Sequence, residues 1–400
     1  MARRLLPLVV LTAALLAGCG SAPVAQPAPG PTSAAPGPAP SSTPTPAPSR
    51  TATTTPVDPV AQAVAGLDRR AQVAQLFVVG VPADDPDQAE ALVRDTGVGG
   101  VFLRGRSSAG AAALAEATGS WAAVTSGPRP WVAADQEGGQ VQTLSGPGFP
   151  ALPPAAEQGR LAPAALADLA DGLGSSLASA GVDLDLAPVA DVVPAGTEEG
   201  NAPIGHFDRQ YGSTAEQVRA AVGPVLRGLD AHGVTGTLKH FPGLGRVTAN
   251  TDTTARVVDD VTTADDPQVR LFGELAGAAE QPFVMMSTAV YTRLDGSAPA
   301  AFSRAVVTGL LREQLGFDGV VISDDLATAE AVQDVSPGQR AVRFLAAGGT
   351  LVLVNRTDPA QQMIDAVLAE DAADPGFAAT VDDAVRTALT AKARAGLLPG

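Results

Sequence analysis

The stretch "GVTGTLKHFPGLG", residues 233–245, decides how the chain is read. Its first half is apolar and threonine-rich, with no polar/apolar alternation. That pattern suits a parallel strand covered on both faces. The run then ends abruptly in Lys239 and His240, followed by a turn built from Pro242 and two glycines. A covered strand that ends in charge puts that charge at the rim of a sheet, where a solvent-filled mouth lies.

Seven further runs of this kind lie on either side. Upstream are "QLFVVGV" from Gln75, "VGGVFLR" from Val98, "WVAADQ" from Trp131 and "DLDLAPVADV" from Asp183. Downstream are "FVMMSTAVY" from Phe283, "GVVISDDL" from Gly319 and "GTLVLVN" from Gly349. Helical patterns such as "TAEQVRAAVGPVLRGLDAHG" and "SRAVVTGLLREQLG" separate them, several ending in glycine. Alternating strand and helix implies a parallel sheet. Eight such units predict an α/β fold of the (β/α)8 TIM-type barrel class with right-handed crossovers. An open doubly wound sheet is the alternative, but no G-x-G-x-x-G or G-x-x-x-x-G-K-[ST] motif follows any strand. Residues 359–398 read as one or two helices packed outside the barrel.

The first residues, "MARRLLPLVVLTAALLAGC", combine two arginines, an apolar run over 5–17 and small residues before Cys19. This reads as a secretory signal, too short for a lasting membrane span. "LAGC" has the form of a lipobox, so lipidation is expected at Cys19, with the protein anchored at the outer face of the plasma membrane. Cys19 is the only cysteine, which excludes a disulfide. Residues 20–59 are proline, alanine, serine and threonine with almost no bulky apolar side chain, a disordered tether. About 40 such residues reach on the order of 100 Å. Residues 60–400 form the expected barrel. A net charge of −16 argues against nucleic acid as a partner. No metal-ligand spacing appears, and no cofactor is implied.

In a barrel the chemistry sits at the C-terminal strand ends. Those ends carry Asp135, Gln136 and Glu137, then Asp191, then Lys239 and His240, then Ser287 and Thr288, then Ser323, Asp324 and Asp325. Carboxylates and cations at one mouth suit a hydroxyl-rich ligand such as a sugar, and a carboxyl pair suits cleavage of a glycosidic bond.

Together "KHFPGLG", "DQEGG", "LAPVADV" and "GFDGVVISDDL" resemble glycoside hydrolase family 3, in its single-domain β-N-acetylhexosaminidase branch. The resemblance implies a retaining mechanism with Asp324, in the "SD" motif, as nucleophile. It implies that Asp135, Lys239 and His240 bind sugar hydroxyls. Arg209 in "IGHFDRQYG" falls on the family's sugar-binding arginine, although two extra residues precede it. Asp325 is expected to cap or hold its loop, Glu137 to orient Lys239 or Arg209, and His232 to meet the end of its own helix. The implied partners are peptidoglycan fragments or other N-acetylglucosamine-containing glycans, cut at a terminal non-reducing β-N-acetylglucosamine.

One loop departs from the family. Relatives read K-H-F-P-G-H-G, four residues, then D-S-H, whose histidine is the acid/base. Here Leu244 replaces the first loop histidine, and Asn250, Thr251 and Asp252 stand where D-S-H is expected. A two-residue slip would put Asp252 and Thr254 there instead; neither alignment retains a histidine. Asp252 is therefore the candidate acid/base, with its pKa raised by burial or by the nearby nucleophile. Aspartate is shorter than histidine, so the loop must close further. Two other outcomes stay open: an acid from elsewhere, and a barrel that binds glycan without cutting it. A transglycosylase or phosphorylase using the same covalent intermediate is a further alternative. An Asx-type turn is the purely structural account of "NTDTT".

Overall fold

The computed structural model describes residues 58–399, together with Gly30 and Gly37. The signal sequence, Cys19 and nearly all of the expected tether lie outside the described residues.

Eight short strands run parallel: β1 (Phe77–Pro82), β2 (Gly100–Arg104), β3 (Trp131–Ala134), β4 (Leu184–Asp185), β5 (Thr237–Phe241), β6 (Phe283–Met286), β7 (Val321–Ser323) and β8 (Val352–Val354). A five-stranded sheet has the order β8-β1-β2-β3-β4, and a three-stranded sheet the order β7-β6-β5. Every pairing within these two sheets is parallel. Isolated parallel bridges, Leu184 with Thr235 and Ile322 with Leu351, run from β4 towards β5 and from β7 towards β8. Across the interior, the Trp131 ring of β3 meets the Phe283 ring of β6 edge to face at 5.3 Å.

Each expected run contains a strand, but the ladders are shorter than the apolar stretches. "DLDLAPVADV" contributes only two ladder residues, and "FVMMSTAVY" divides into β6 and a separate pair at Val290–Tyr291, which bonds Val258–Asp259. Apolar character reports burial, whereas a strand also needs neighbours in register. In β5 the register against β6 shifts between Leu238 and Phe241. Such an irregularity re-aims side chains that would otherwise alternate between faces, and both Lys239 and His240 reach the same cavity.

Helices lie between the strands. Ala215–Asp230 shows why: Thr214 caps it by accepting from Gln217 N, and Val218, Val222, Val225 and Leu229 form one buried stripe. The connection before β7, Ala305–Gln314, is wound as a π-helix. His232 meets the end of its own helix only through its main chain, whose N–H donates to the Leu229 carbonyl at 3.0 Å; the imidazole turns away. Its Nε2 lies 2.8 Å from Asp171 of the neighbouring helix Pro163–Ser179, a carboxylate being a better partner than a carbonyl. Among the described residues no helix is long and apolar enough to cross a membrane.

The tail forms two helices, Ala360–Ala373 and Pro375–Arg394. The second buries Lys392, whose ammonium donates to Gln75 Oε1 at 2.6 Å and to the Arg129 carbonyl at 2.7 Å, tying the tail to the entries of β1 and β3. Burial pushes this amine down to about 7, against the pull of Asp183. Unfolded, a lysine titrates at about 10.4. Between those values the unfolded chain holds the extra proton, so folding stability rises with pH. The stability of the parent relative to Lys392→Met, from urea melts, should grow by on the order of 2 kcal/mol from pH 7 to pH 9. A difference that stays flat would show that the amine does not titrate there.

Candidate active site

The C-terminal strand ends surround a cavity of about 400 Å³. Asp135, Arg209, Lys239, His240, Asp252, Asp324 and Asp325 all line it, so the structure brings together every candidate from the sequence that lies within the described residues. Phe102, Leu186, Met285 and Leu353 supply its apolar wall.

Lys239 is the pivot. Its side chain is 2% exposed, and its Nζ lies 2.7 Å from Asp135 and 2.6 Å from Glu137. Burial works against the ammonium, but the two carboxylates outweigh it and hold its pKa above the ordinary lysine value. Glu137 takes a second cation: Arg209 donates Nε and Nη2 to its two oxygens at 2.8 and 2.7 Å, a bidentate clamp. Burial alone would raise the Glu137 carboxyl, yet Arg209 and Lys239 bring it down to about 2. The Arg209 guanidinium also donates to the Pro203 carbonyl, so the two-residue insertion does not displace it from the cavity.

His240 is oriented by Asp191, a fully buried residue that the sequence reading located but left without a role. Asp191 accepts from His240 Nδ1 at 2.8 Å, from His240 N at 3.2 Å and from Leu244 N at 2.7 Å. One carboxylate thus fixes both the imidazole and the start of the following loop, leaving Nε2 as the ring nitrogen for a ligand. The loop reaches Asp191 because Gly245 allows it. A Cβ there would stand 1.9 Å from the Val192 carbonyl oxygen. Asn201, also missed, stitches the same loop by donating to the Leu244 and Val247 carbonyls at 2.8 and 2.7 Å. Only the placement of Asp191 at the end of "LAPVAD" hinted at this network.

Asp324 follows β7, with its N–H donating to the Met286 carbonyl and its Oδ1 accepting from Asp325 N at 2.8 Å. Asp325 holds the loop, accepting from Ala327 N, Thr328 N and Asn355 N. Asp252 stands on the same cavity wall although solvent still reaches it. The surrounding protein first, then the charge of Asp324, push its carboxyl up to about 6, with His240 and Arg209 opposing. The Asx turn in this loop belongs to Asn250, whose Oδ1 accepts from Asp252 N at 2.8 Å, so the Asp252 carboxyl is not spent on the turn. Exposed His206 and buried Thr288 do not line the cavity.

Residues 69–390 match the model of the glycosyl hydrolase family 3 N-terminal domain. A β-hexosaminidase of Bordetella pertussis is 35% identical over 247 residues, which cover 58% of this chain and 66% of that protein. The β-hexosaminidase LpqI of Mycobacterium tuberculosis is 33% identical over 312 residues, covering 75% and 76% respectively. A crystal structure of β-N-acetylhexosaminidase from Beutenbergia cavernae superposes with a TM-score of 0.78 at 50% identity, over 82% of this chain and 99% of that one. The chain belongs to glycosyl hydrolase family 3, and its enzyme class is that of the glycoside hydrolases.

Glu137 is 3% exposed and compensates two cations at once. Glu137→Gln removes that compensation and strands buried charge, so thermal or urea unfolding should show a loss of roughly 3–5 kcal/mol. A loss below about 1 kcal/mol would mean that Asp135 alone neutralises the cluster.

Proposed function

We propose that the protein is a retaining β-N-acetylhexosaminidase that releases terminal non-reducing β-N-acetylglucosamine from peptidoglycan-derived or related glycans. The supporting observation is that two carboxyl groups in different environments, Asp324 and Asp252, line one cavity with the sugar-binding set Asp135, Arg209, Lys239 and His240. The parallel strands are read as a closed (β/α)8 barrel. The bridges from β4 towards β5 and from β7 towards β8, with the Trp131–Phe283 contact, support closure.

In this reading the Asp324 carboxylate attacks the anomeric carbon as the glycosidic C–O bond breaks. Asp252 gives its proton to the departing oxygen. The covalent glycosyl-aspartate is then opened by water, whose proton passes to Asp252, restoring both groups. Asp135 and Lys239 hold hydroxyls of the sugar, Arg209 and His240 add donors, and the apolar wall offers its ring carbons a packing surface. A carboxyl pushed up to about 6 retains a protonated fraction near neutrality, as an acid catalyst needs.

The test is turnover of a β-N-acetylglucosaminide by the parent, Asp324→Asn and Asp252→Asn. Asp324→Asn should lose activity by a factor of about 10³ or more, and a 2-deoxy-2-fluoro or 5-fluoro sugar should label Asp324 in the parent. Asp252→Asn should slow poor leaving groups most. For the parent, kcat/KM on such substrates should fall as pH rises through about 6, and the variant should lack that limb. If the parent turns over no glycoside yet binds N-acetylglucosamine-containing fragments, the protein is a glycan-binding member of the family.

We also propose that Cys19 is lipidated and that residues 20–59 tether a domain of residues 60–400 to the outer face of the plasma membrane. The support is the "LAGC" sequence behind a short apolar run. Cys19→Ala should move the protein from the membrane fraction to the soluble fraction. Unchanged membrane association would refute the anchor.

A further inference from the structure

The loop that carries Asp252 is bonded to the segment that follows Asp324. The carbonyls of Thr251 and Asp252 accept from the main-chain N–H groups of Ala331 at 3.0 Å and Glu330 at 3.2 Å. These donors open the tight turn Glu330–Val332, where the first N–H groups have no acceptor within the turn itself. The loop tip is compact on its own side: Asn250 Oδ1 accepts from Asp252 N, Thr253 N donates to the Asn250 carbonyl, and Thr251 is buried.

The turn is held in its own place. Arg340, 3% exposed, donates to the carbonyls of Leu326, Ala327 and Val335 and to Gln333 Oε1, at 2.7 to 3.0 Å. Gln333 Nε2 donates in turn to the Ala327 and Ala329 carbonyls at 3.0 Å. Asp325 secures the start of the same segment through Ala327 N and Thr328 N. A bonded path therefore runs from Asp324, through residues 325–335, to the tip that carries Asp252.

We propose that the paired N–H groups of Glu330 and Ala331 are a dock that sets the reach of Asp252 into the cavity, making these two residues positioning residues for proton transfer. An aspartate carboxyl lies closer to its own main chain than a histidine nitrogen would, so the main chain must come nearer the sugar. The dock supplies that approach before substrate arrives. Proton transfer works only within hydrogen-bond reach, and a displacement of about 1 Å can cost about 100-fold. The inference rests on Asp252 being the acid/base.

The test removes a dock donor without touching a carboxyl. Ala331→Pro deletes the N–H to Thr251 near the start of the turn, where proline is tolerated. Replacing Ala331 by its α-hydroxy acid deletes the same donor without the ring and serves if the proline variant melts well below the parent. With either change, kcat on an alkyl N-acetylglucosaminide should fall tenfold or more. The rate of glycosylation by a dinitrophenyl N-acetylglucosaminide, measured in the pre-steady state, should fall no more than about threefold, while its steady-state KM falls because the water attack assisted by Asp252 slows. A merely structural role would slow both substrates alike. If Asp252→Asn steepens the dependence on leaving group while a folded Ala331 variant keeps that of the parent, the dock is overturned and the acid/base reading stands. If Asp252→Asn leaves the dependence unchanged, the acid/base reading fails, and the dock fails with it.

Discussion

One buried charge organises the cavity. The Lys239 ammonium sits almost out of solvent, and an isolated ammonium there would cost several kcal/mol. Asp135 and Glu137 supply the compensation, which draws the end of β3 to the end of β5. Glu137 then carries a second cation and brings in Arg209 from a segment beyond β4. Two cations and two carboxylates thus satisfy one another without closing the site, because Asp135 still lines the cavity and retains acceptor capacity for hydroxyl groups.

Asp191 does for shape what Lys239 does for charge. It is fully buried and spends its oxygens on three groups within five residues: the His240 imidazole, the His240 N–H and the Leu244 N–H. Ring and loop share one carboxylate, so ring orientation and loop path have a common anchor. Gly245 lets the loop lie against the Val192 carbonyl, and Asn201 closes the far side. Leu244, buried in the family's first loop-histidine position, keeps its main-chain contact to Asp191 while contributing only packing from its side chain.

The two carboxyls proposed for catalysis stand in contrasting surroundings. Asp324 accepts the Asp325 N–H on one oxygen, and its own N–H donates to the Met286 carbonyl. Asp252 has none of its carboxyl oxygens in a protein hydrogen bond among the described contacts, and the charge of Asp324 faces it. In the proposed mechanism, environment rather than residue type sets the acid apart from the nucleophile.

What the sequence determined by itself was whatever a short segment encodes. Continuous apolar runs marked each of the eight strands, since burial on both faces is a property of one strand. Charged residues directly after those runs marked Asp135, Lys239, His240 and Asp324 as neighbours of one rim. The extent of each ladder was not legible, because hydrogen-bonded register depends on the next strand; hence the two-residue β4 inside a ten-residue apolar run. Nor was the role of Asp191, nor the docking of residues 251 and 252 on residues 330 and 331, nor the turn of His232 towards Asp171. Each is a contact between segments some fifty to eighty residues apart, and in two of them at least one partner is a main-chain group that leaves no mark on residue identity. Local sequence carries burial and charge; only the folded chain decides which donor meets which acceptor, because that pairing is settled by distance across the fold.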